Sequence, residues 1–197
     1  MAPMEKFYGL IFDLERCIGC ETCTIACQIE NGFISDIIQV KTLNSLDKDT
    51  PLGSFIQGNL RMEFQSCTCN HCEDAPCVKV CNFDALTKHE DGIVVLNREL
   101  CTGCQACISE CPYGAIQFNE MLNMAEKCNL CSHRVNQGLE PFCVLCCEGQ
   151  AIYFGDWNAP EGKFTTEPRV QELNVRNPEF NTNPKVKYLP LKKARGL

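Results

Sequence analysis

Sixteen of the 18 cysteines in this 197-residue chain fall into four groups of four. The groups are Cys17, Cys20, Cys23 and Cys27; Cys69, Cys72, Cys77 and Cys81; Cys101, Cys104, Cys107 and Cys111; and Cys128, Cys131, Cys143 and Cys147. Groups one and three read C-x2-C-x2-C-x3-C, and the middle gap widens to four residues in group two and eleven in group four. Two intervening residues let a tight turn direct successive thiolates at corners of one cube. The spacing predicts [4Fe–4S] clusters and transfer of single electrons.

The last cysteine of each group follows a gap of three residues and is carried away from the cube that the first three hold. In the bacterial ferredoxin run such a cysteine binds a neighbouring cluster, so these runs work in pairs. Spacing alone does not decide the pairing here, because groups three and four lie about as near each other along the chain as groups two and three.

Zinc sites and disulfides are the alternative uses of closely spaced cysteines. A zinc site takes two separated pairs of ligands and gains nothing from a third close thiolate. Disulfides suit small secreted chains, whereas this chain is long enough for a core and shows no signal peptide over Met1 to Gly9. Four repeats of one spacing pattern favour iron–sulfur ligation over both alternatives.

Charge and composition exclude several classes of protein. The formal net charge is −7 with neutral cysteines, and four oxidised clusters would bring it to about −15. We expect no nucleic-acid partner, because such binding depends on clustered positive charge. The chain has no apolar run near the length of a membrane-spanning helix, so we expect no direct span. It shows neither a nucleophile with its base nor a phosphate-binding glycine loop, so we expect it to be non-catalytic.

Short strands must position the cysteines. Apolar residues alternate over residues 8 to 14, which predicts a strand that leads into group one. A turn-rich patch at Asp47 to Gly53 precedes a second predicted strand over residues 60 to 64. The apolar run at residues 92 to 96 predicts a strand that links groups two and three.

The chain beyond Gly155 has a different composition, with five prolines and few large apolar residues. Such a tail cannot make a core of its own. We expect an extended arm that lies on a partner, with disorder in the free chain as the alternative.

Three strings of residues carry a specific resemblance to a known family. They are Cys69-Asn70-His71-Cys72-Glu73-Asp74-Ala75-Pro76-Cys77, Cys111-Pro112-Tyr113-Gly114-Ala115, and Lys127-Cys128-x2-Cys131-x2-Arg134. Over about residues 5 to 157 the chain resembles the four-cluster iron–sulfur (electron-transfer, beta) subunit of complex molybdopterin oxidoreductases. Its members serve dimethyl sulfoxide, polysulfide, thiosulfate and arsenate reductases and related hydroxytransferases.

The resemblance implies a ligand set for each of four [4Fe–4S] clusters. Groups one and four share two clusters in that family, and groups two and three share the other two. The implied sets are Cys17, Cys20, Cys23 and Cys147; Cys27, Cys128, Cys131 and Cys143; Cys69, Cys72, Cys77 and Cys111; and Cys81, Cys101, Cys104 and Cys107.

The sequence departs from the family pattern after two of the implied ligands. Asn82 follows Cys81 and Glu148 follows Cys147, where proline is usual in the family. Proline lacks an amide donor, so these corners are expected to gain a hydrogen bond to sulfur and a raised potential. No ligand position holds a residue other than cysteine, so we expect four-iron clusters throughout.

Two cysteines remain outside the four groups. We interpret Cys67 and Cys146 as buried thiols beside a cluster. The alternative is that Cys146 replaces Cys147 as a ligand, but the gap of three residues in the other groups favours Cys147.

Several polar residues could act on a cluster without binding it. We expect His71, His89 and His133 to pack or donate hydrogen bonds, with His71 the candidate for an effect on a cluster potential. Lys127 and Arg134 could ease the addition of an electron by their positive charge, or lie solvated at the surface.

We predict an α+β fold of two nested bacterial-ferredoxin-like modules. Residues 1–30 and 120–158 form the first module and residues 67–119 the second, with an insertion at 31–66 and an extended partner-binding tail at 159–197. The resemblance implies partners, namely a large molybdenum or tungsten bis-pterin catalytic subunit and a quinone-reactive membrane anchor.

Two rival functions differ in class. One is a freestanding polyferredoxin carrier, and the other is a structural cluster subunit of a non-redox hydroxytransferase. The resemblance favours a place at the outer, periplasmic face of the membrane, reached by export together with a partner, and the cytoplasm is the alternative.

Overall fold

The computed structural model describes residues 6–43, 54–56, 59–159 and 162–191. The predicted turn-rich patch at Asp47 to Gly53 lies outside these ranges. The chain mixes short strands with short helices. None of the helices in the described ranges has the length and apolar character that a bilayer crossing requires.

The strands are β1 (Tyr8–Asp13), β2 (Gln39–Leu43), β3 (Ser54–Ile56), β4 (Asn59–Arg61), β5 (Glu63–Cys67), β6 (Leu86–Lys88), β7 (Val94–Leu96), β8 (Ile116–Asn119), β9 (Met124–Lys127), β10 (Ile152–Asp156) and β11 (Val186–Leu189). The α-helices are α1 (Thr22–Asn31), α2 (Pro76–Lys79), α3 (Ala106–Glu110), α4 (Ser132–Val135) and α5 (Phe142–Leu145). Two 3-10 turns lie at Val170–Glu172 and Pro178–Phe180.

A three-stranded sheet joins the two ends of the chain. β1 lies in its centre, antiparallel to β10 and parallel to β11, with Leu10 opposite Phe154 and Val186. The predicted strand over residues 8 to 14 is therefore confirmed. Because β10 directly follows cysteine group four, this sheet holds groups one and four against each other.

Two-stranded antiparallel ribbons carry the rest of the chain between the cysteine groups. They pair β2 with β5, β3 with β4, β6 with β7, and β8 with β9. The predicted strand at 92 to 96 is confirmed as β7. The strand predicted over residues 60 to 64 is interrupted at Met62, where the chain passes from β4 to β5.

The main core combines thiols with hydrocarbon side chains. Eight buried cysteines belong to it together with apolar residues such as Leu10, Phe12, Ile38 and Ile116. Cysteines of the four groups therefore form part of the interior of this chain.

The described part of the tail lies on this chain itself. Val186 and Leu189 in β11 are fully buried, and Leu189 packs with Ile11 and Phe164 in a second small core. The alternative of a disordered tail is wrong for this segment, because β11 is an edge strand that pairs with β1 and buries its apolar residues. Binding of a partner by the same segment stays a prediction.

Replacing Leu189 by alanine tests this docking. We expect a loss of about 2–4 kcal/mol in the free energy of unfolding, because the side chain is fully buried and the site cannot fully collapse. The midpoint of anaerobic urea unfolding measures the loss. Leu139→Ala is the matched control, since Leu139 is 47% exposed, and equal midpoints for the two variants would contradict the packing described.

Candidate iron–sulfur sites

One backbone feature recurs in all four cysteine loops. The residue directly before the second cysteine has a left-handed conformation, with φ of 72° at Gly19, 43° at His71, 73° at Gly103 and 54° at Leu130. This turn brings the two cysteines that flank it to one side of the loop. Glycine adopts such a φ without strain, which explains its presence in groups one and three.

His71 and Leu130 adopt the same left-handed conformation with a side chain. Such residues cost on the order of 1–3 kcal/mol and persist where the surroundings fix them. Both side chains are buried, with 1% exposed in each. Leu130 belongs to the main core, so its packing offsets the strain.

The first thiol set lies where the N-terminal sheet meets α1. Cys17, Cys20, Cys23 and Cys147 line one cavity. The Ser66 hydroxyl lies 3.9 Å from the sulfur atoms of both Cys17 and Cys23. Burial raises the pKa of Cys23 to about 11, and Cys17 and Cys147 add to the rise by charge repulsion. Cys20 is exposed, so this set reaches the surface.

The second set is more deeply buried and joins α1 to the loops of group four. Burial raises the pKa of Cys27, and repulsion from Cys128 and Cys131 adds to it. The pKa of Cys143 is raised well above its usual value by burial first and by Cys128, Cys131 and Cys27 next. The Asn31 amide lies 3.8 Å from the Cys27 sulfur and 3.6 Å from the Cys131 sulfur, donating to both.

The third set gathers groups two and three. Burial raises the pKa of Cys77 to about 12, and repulsion from Cys69 and Cys111 adds to the rise. Burial also raises the pKa of Cys72 to about 11, and a hydrogen bond with the Thr182 hydroxyl opposes that rise. A residue of the tail therefore contacts this thiol set.

The fourth set lies at α3. Cys81, Cys101, Cys104 and Cys107 line one cavity. Burial raises the pKa of Cys107 to about 11, and the other three thiols add to the rise by repulsion. Cys104 is exposed, so the fourth set, like the first, reaches the surface.

The chemistry of these sets fits iron–sulfur clusters. Facing buried thiols cannot ionise by themselves, and the iron of a cluster supplies the positive charge that stabilises thiolates. Among the described residues, no three His, Cys, Asp or Glu side chains are arranged to hold one metal ion. A cubane cluster instead offers a separate iron atom to each of four thiolates. In the first and fourth sets, four cysteines line one cavity.

The two remaining cysteines lie outside the thiol sets. Cys67 is buried in β5, as expected, and its thiol lies 3.8 Å from the Gln65 carbonyl. Cys146 follows α5 and is half-buried, so the expectation of a buried thiol is wrong for it. Cys147, which lines the first cavity, accepts a hydrogen bond from the Ala151 amide at 3.2 Å. The hydrogen bond expected at the Cys147 sulfur therefore comes from the amide of Ala151 and not from that of Glu148.

The polar residues near the sets have distinct surroundings. Lys127 is 2% exposed, so a solvated surface position is wrong for it. The guanidinium of Arg134 lies 3.3 Å from the Glu30 carboxylate and 5.3 Å from the Phe142 ring. His133 also bonds Glu30, at 2.8 Å. His89 is exposed.

Sequence reasoning did not identify the three side chains that approach the thiols from outside the groups, Ser66, Asn31 and Thr182. Asn31 is four residues after Cys27 on α1, a helical spacing that would have identified it. Ser66 and Thr182 reach their thiols through tertiary contacts, for which the sequence offers no local signal.

Family comparisons agree with this chemistry. A 4Fe–4S dicluster domain matches residues 60–157, and a 4Fe–4S binding domain matches residues 14–32. Together these matches include all sixteen grouped cysteines.

Three relatives are similar over most of their length. The B subunit of tetrathionate reductase from Salmonella typhimurium is 37% identical, over 95% of this chain and 74% of the relative. The polysulfide reductase B protein of Wolinella succinogenes is 35% identical over 97% of this chain and 98% of the relative. The B component of anaerobic dimethyl sulfoxide reductase from Escherichia coli is 39% identical over 77% and 75%, respectively.

The neighbouring cysteines after α5 provide a matched pair of variants. We expect Cys147→Ser to lower the iron content by up to about four atoms per chain, because it removes a corner of the first thiol set. Cys146→Ser should retain the iron of the parent. Iron and protein are quantified on the same anaerobic sample, and loss of iron in Cys146→Ser alone would reverse the ligand choice.

Removal of iron should prevent stable folding. The main core contains facing thiols whose cavities side chains do not fill, so the chain refolded without iron should lack cooperative unfolding. Circular dichroism during a thermal scan measures this, with the iron-loaded chain as control. Cooperative, native-like unfolding of the iron-free chain would contradict the claim that clusters complete the core.

Proposed function

The chain belongs to the family of iron–sulfur B subunits of dimethyl sulfoxide, tetrathionate and polysulfide reductases, and from that premise we propose how its residues form an electron relay. It is an electron-transfer subunit with 4Fe–4S clusters and is not the catalytic subunit of its complex. The proposal assigns the ligands, the modules and the partners.

Each thiol set holds one cluster. The sets are Cys17, Cys20, Cys23 and Cys147; Cys27, Cys128, Cys131 and Cys143; Cys69, Cys72, Cys77 and Cys111; and Cys81, Cys101, Cys104 and Cys107. The cavities of the first and fourth sets support the assignment of those sets. The Asn31 amide, which donates to the sulfur atoms of Cys27 and Cys131, supports the second set. The same grouping is implied by the family resemblance. The observation that carries the proposed function is that four cysteines line one cavity in the first set and four line another in the fourth set.

The chain is organised as two nested ferredoxin-like modules. Residues 1–30 and 120–158 form the outer module, and residues 67–119 form the inner one. The pairing of β1 with β10 supports the outer module, because it joins segments about 140 residues apart in sequence. Contact of α2 with α3 supports the inner module.

A bound [4Fe–4S] cluster accepts and releases one electron at a time. The residues of this chain set the conditions for that exchange. Cys128 and Cys143 are buried, and donors such as the Ala151 amide and the Asn31 side chain direct hydrogen bonds at thiol sulfurs. Such donors favour the reduced state, because they stabilise added negative charge.

Electrons enter and leave where the sets approach the surface. The first and fourth sets each have an exposed cysteine, Cys20 and Cys104, whereas Cys128 and Cys143 of the second set are buried. Exposed apolar side chains flank both exposed cysteines, with Ile18 60% exposed beside Cys20 and Leu100 47% exposed near Cys104. These features suit contact with redox partners at the first and fourth sets.

The partner that the family supplies is a large catalytic subunit with a molybdenum or tungsten bis-pterin. The relatives are named as B components of multi-subunit reductases, which supports a catalytic partner. We add a quinone-reactive membrane anchor as the second partner, and a place at the outer face of the membrane by export with the catalytic subunit. No specific observation favours a freestanding carrier or a structural cluster subunit.

Anaerobic purification of the tagged chain from cells that make it tests the proposal. We expect about sixteen iron atoms per chain together with a large partner that contains molybdenum or tungsten. Metals are quantified on the purified complex, and a mock purification from untagged cells is the control. Full iron without a pterin-metal partner would contradict the assigned partner, and far less iron would contradict the assigned ligands.

A further inference from the structure

Lys127 is an ammonium group placed in the interior of the chain. It is 2% exposed, in the last position of β9. The ammonium donates hydrogen bonds to the carbonyl oxygens of Val94 and Cys128, which uses two of its three N–H groups. Carbonyl oxygens satisfy donors but carry no net charge, so the positive charge still requires a negative partner.

The ion pairs found among the described residues do not include Lys127. The neighbouring Glu126 carboxylate accepts hydrogen bonds from the Asn119 amide and the Ser35 backbone instead. Lys127 also forms part of the floor of a groove whose described lining includes one carboxylate, Glu30. Glu30 is already bonded to His133 and Arg134.

The thiol sets supply the missing negative charge. Lys127 directly precedes Cys128 of the second set and donates to its carbonyl, and it also donates to the carbonyl of Val94. The amide of Val94 bonds His71, which lies between Cys69 and Cys72 of the third set. Lys127 therefore lies between two sets, and each set with its oxidised cluster carries about −2. A buried cation between two anionic sites is stabilised by both.

His71 lies at the same junction. Its Nδ1 accepts a hydrogen bond from the Val94 amide at 3.0 Å, so the proton of the neutral ring is on Nε2. Val94 thus bonds His71 through its amide and Lys127 through its carbonyl. The Nε2 atom is buried and has no hydrogen-bond partner among the described residues.

A buried donor without a partner requires an explanation. His71 lies between Cys69 and Cys72, at the left-handed position that glycine occupies in groups one and three. The backbone is therefore strained at His71, and the strained residue places an imidazole in the loop of the third set.

We propose that Lys127 and His71 set the potentials of the two clusters at this junction. Lys127 is a fixed positive charge shared by the cluster of Cys27, Cys128, Cys131 and Cys143 and the cluster of Cys69, Cys72, Cys77 and Cys111. His71 donates its Nε2 proton in a hydrogen bond to a sulfur atom of the second of these clusters. Both stabilise the reduced state, so they raise the midpoint potentials of the clusters where the two modules meet. The inference rests on the ligand sets of the proposed function.

Redox titration of the full cluster-loaded chain, followed by electron paramagnetic resonance, tests the role of Lys127. Lys127→Met keeps the length of the side chain and removes the charge. Two of the four midpoint potentials should fall, each by a tenfold or larger change in the reduction equilibrium, which is about 59 mV for one electron. The other two potentials should not move.

Lys79→Met is the matched control, because Lys79 is exposed on α2 between Cys77 and Cys81. Water screens its charge, so its loss should leave all four potentials close to those of the parent. Unchanged potentials in Lys127→Met, or equal shifts in the two variants, would overturn the role of Lys127. Four clusters that titrate in the parent chain would still support the proposed function in that case. Should Lys127→Met lose iron, retention of iron by Lys127→Arg would support the requirement for charge, and loss in both would overturn it.

His71→Gly tests the donor separately. It gives this loop the residue of groups one and three, removes the Nε2 donor and leaves the charge of Lys127 in place. One midpoint potential should fall, not two. An unchanged set of potentials in an iron-replete His71→Gly chain would overturn the role of His71.

Discussion

The interior of this protein depends on negative charge that protein atoms alone cannot stabilise. Burial raises the pKa values of Cys23, Cys72, Cys77, Cys107 and Cys128 to about 11 or 12. In each set, neighbouring thiols raise them further by repulsion. Iron favours the ionised form of these cysteines instead, because a cluster binds thiolates and carries the positive charge that stabilises them. Clusters bound by these thiols would connect the short strands and helices that carry them.

The loop geometry follows from this requirement. Left-handed turns before the second cysteine recur in all four groups, and they cost nothing at Gly19 and Gly103. At His71 and Leu130 the chain bears the strain and gains a buried side chain. Leu130 adds to the hydrocarbon core, whereas His71 places a buried hydrogen-bond donor in the loop of the third set.

The cysteine spacing predicted the chemistry, because the local turn geometry depends on the number of intervening residues alone. The spacing did not predict which set each fourth cysteine joins. Cys147 lies near Cys17 and Cys23 because β10 pairs with β1, and these strands are far apart in the sequence. The burial of Lys127 could not be predicted from the sequence, because a lysine side chain is ordinarily solvated. The docking of β11 was missed although Val186 and Tyr188 alternate as strand residues do, because prolines dominate the sequence around them.

Four clusters in this chain would make four one-electron sites. An anaerobic reductive titration of the cluster-loaded chain, with the electrons taken up counted against protein, measures their number. We expect about four electrons per chain, one for each [4Fe–4S] cluster. Uptake of two electrons or fewer by chain that contains its full iron would contradict it.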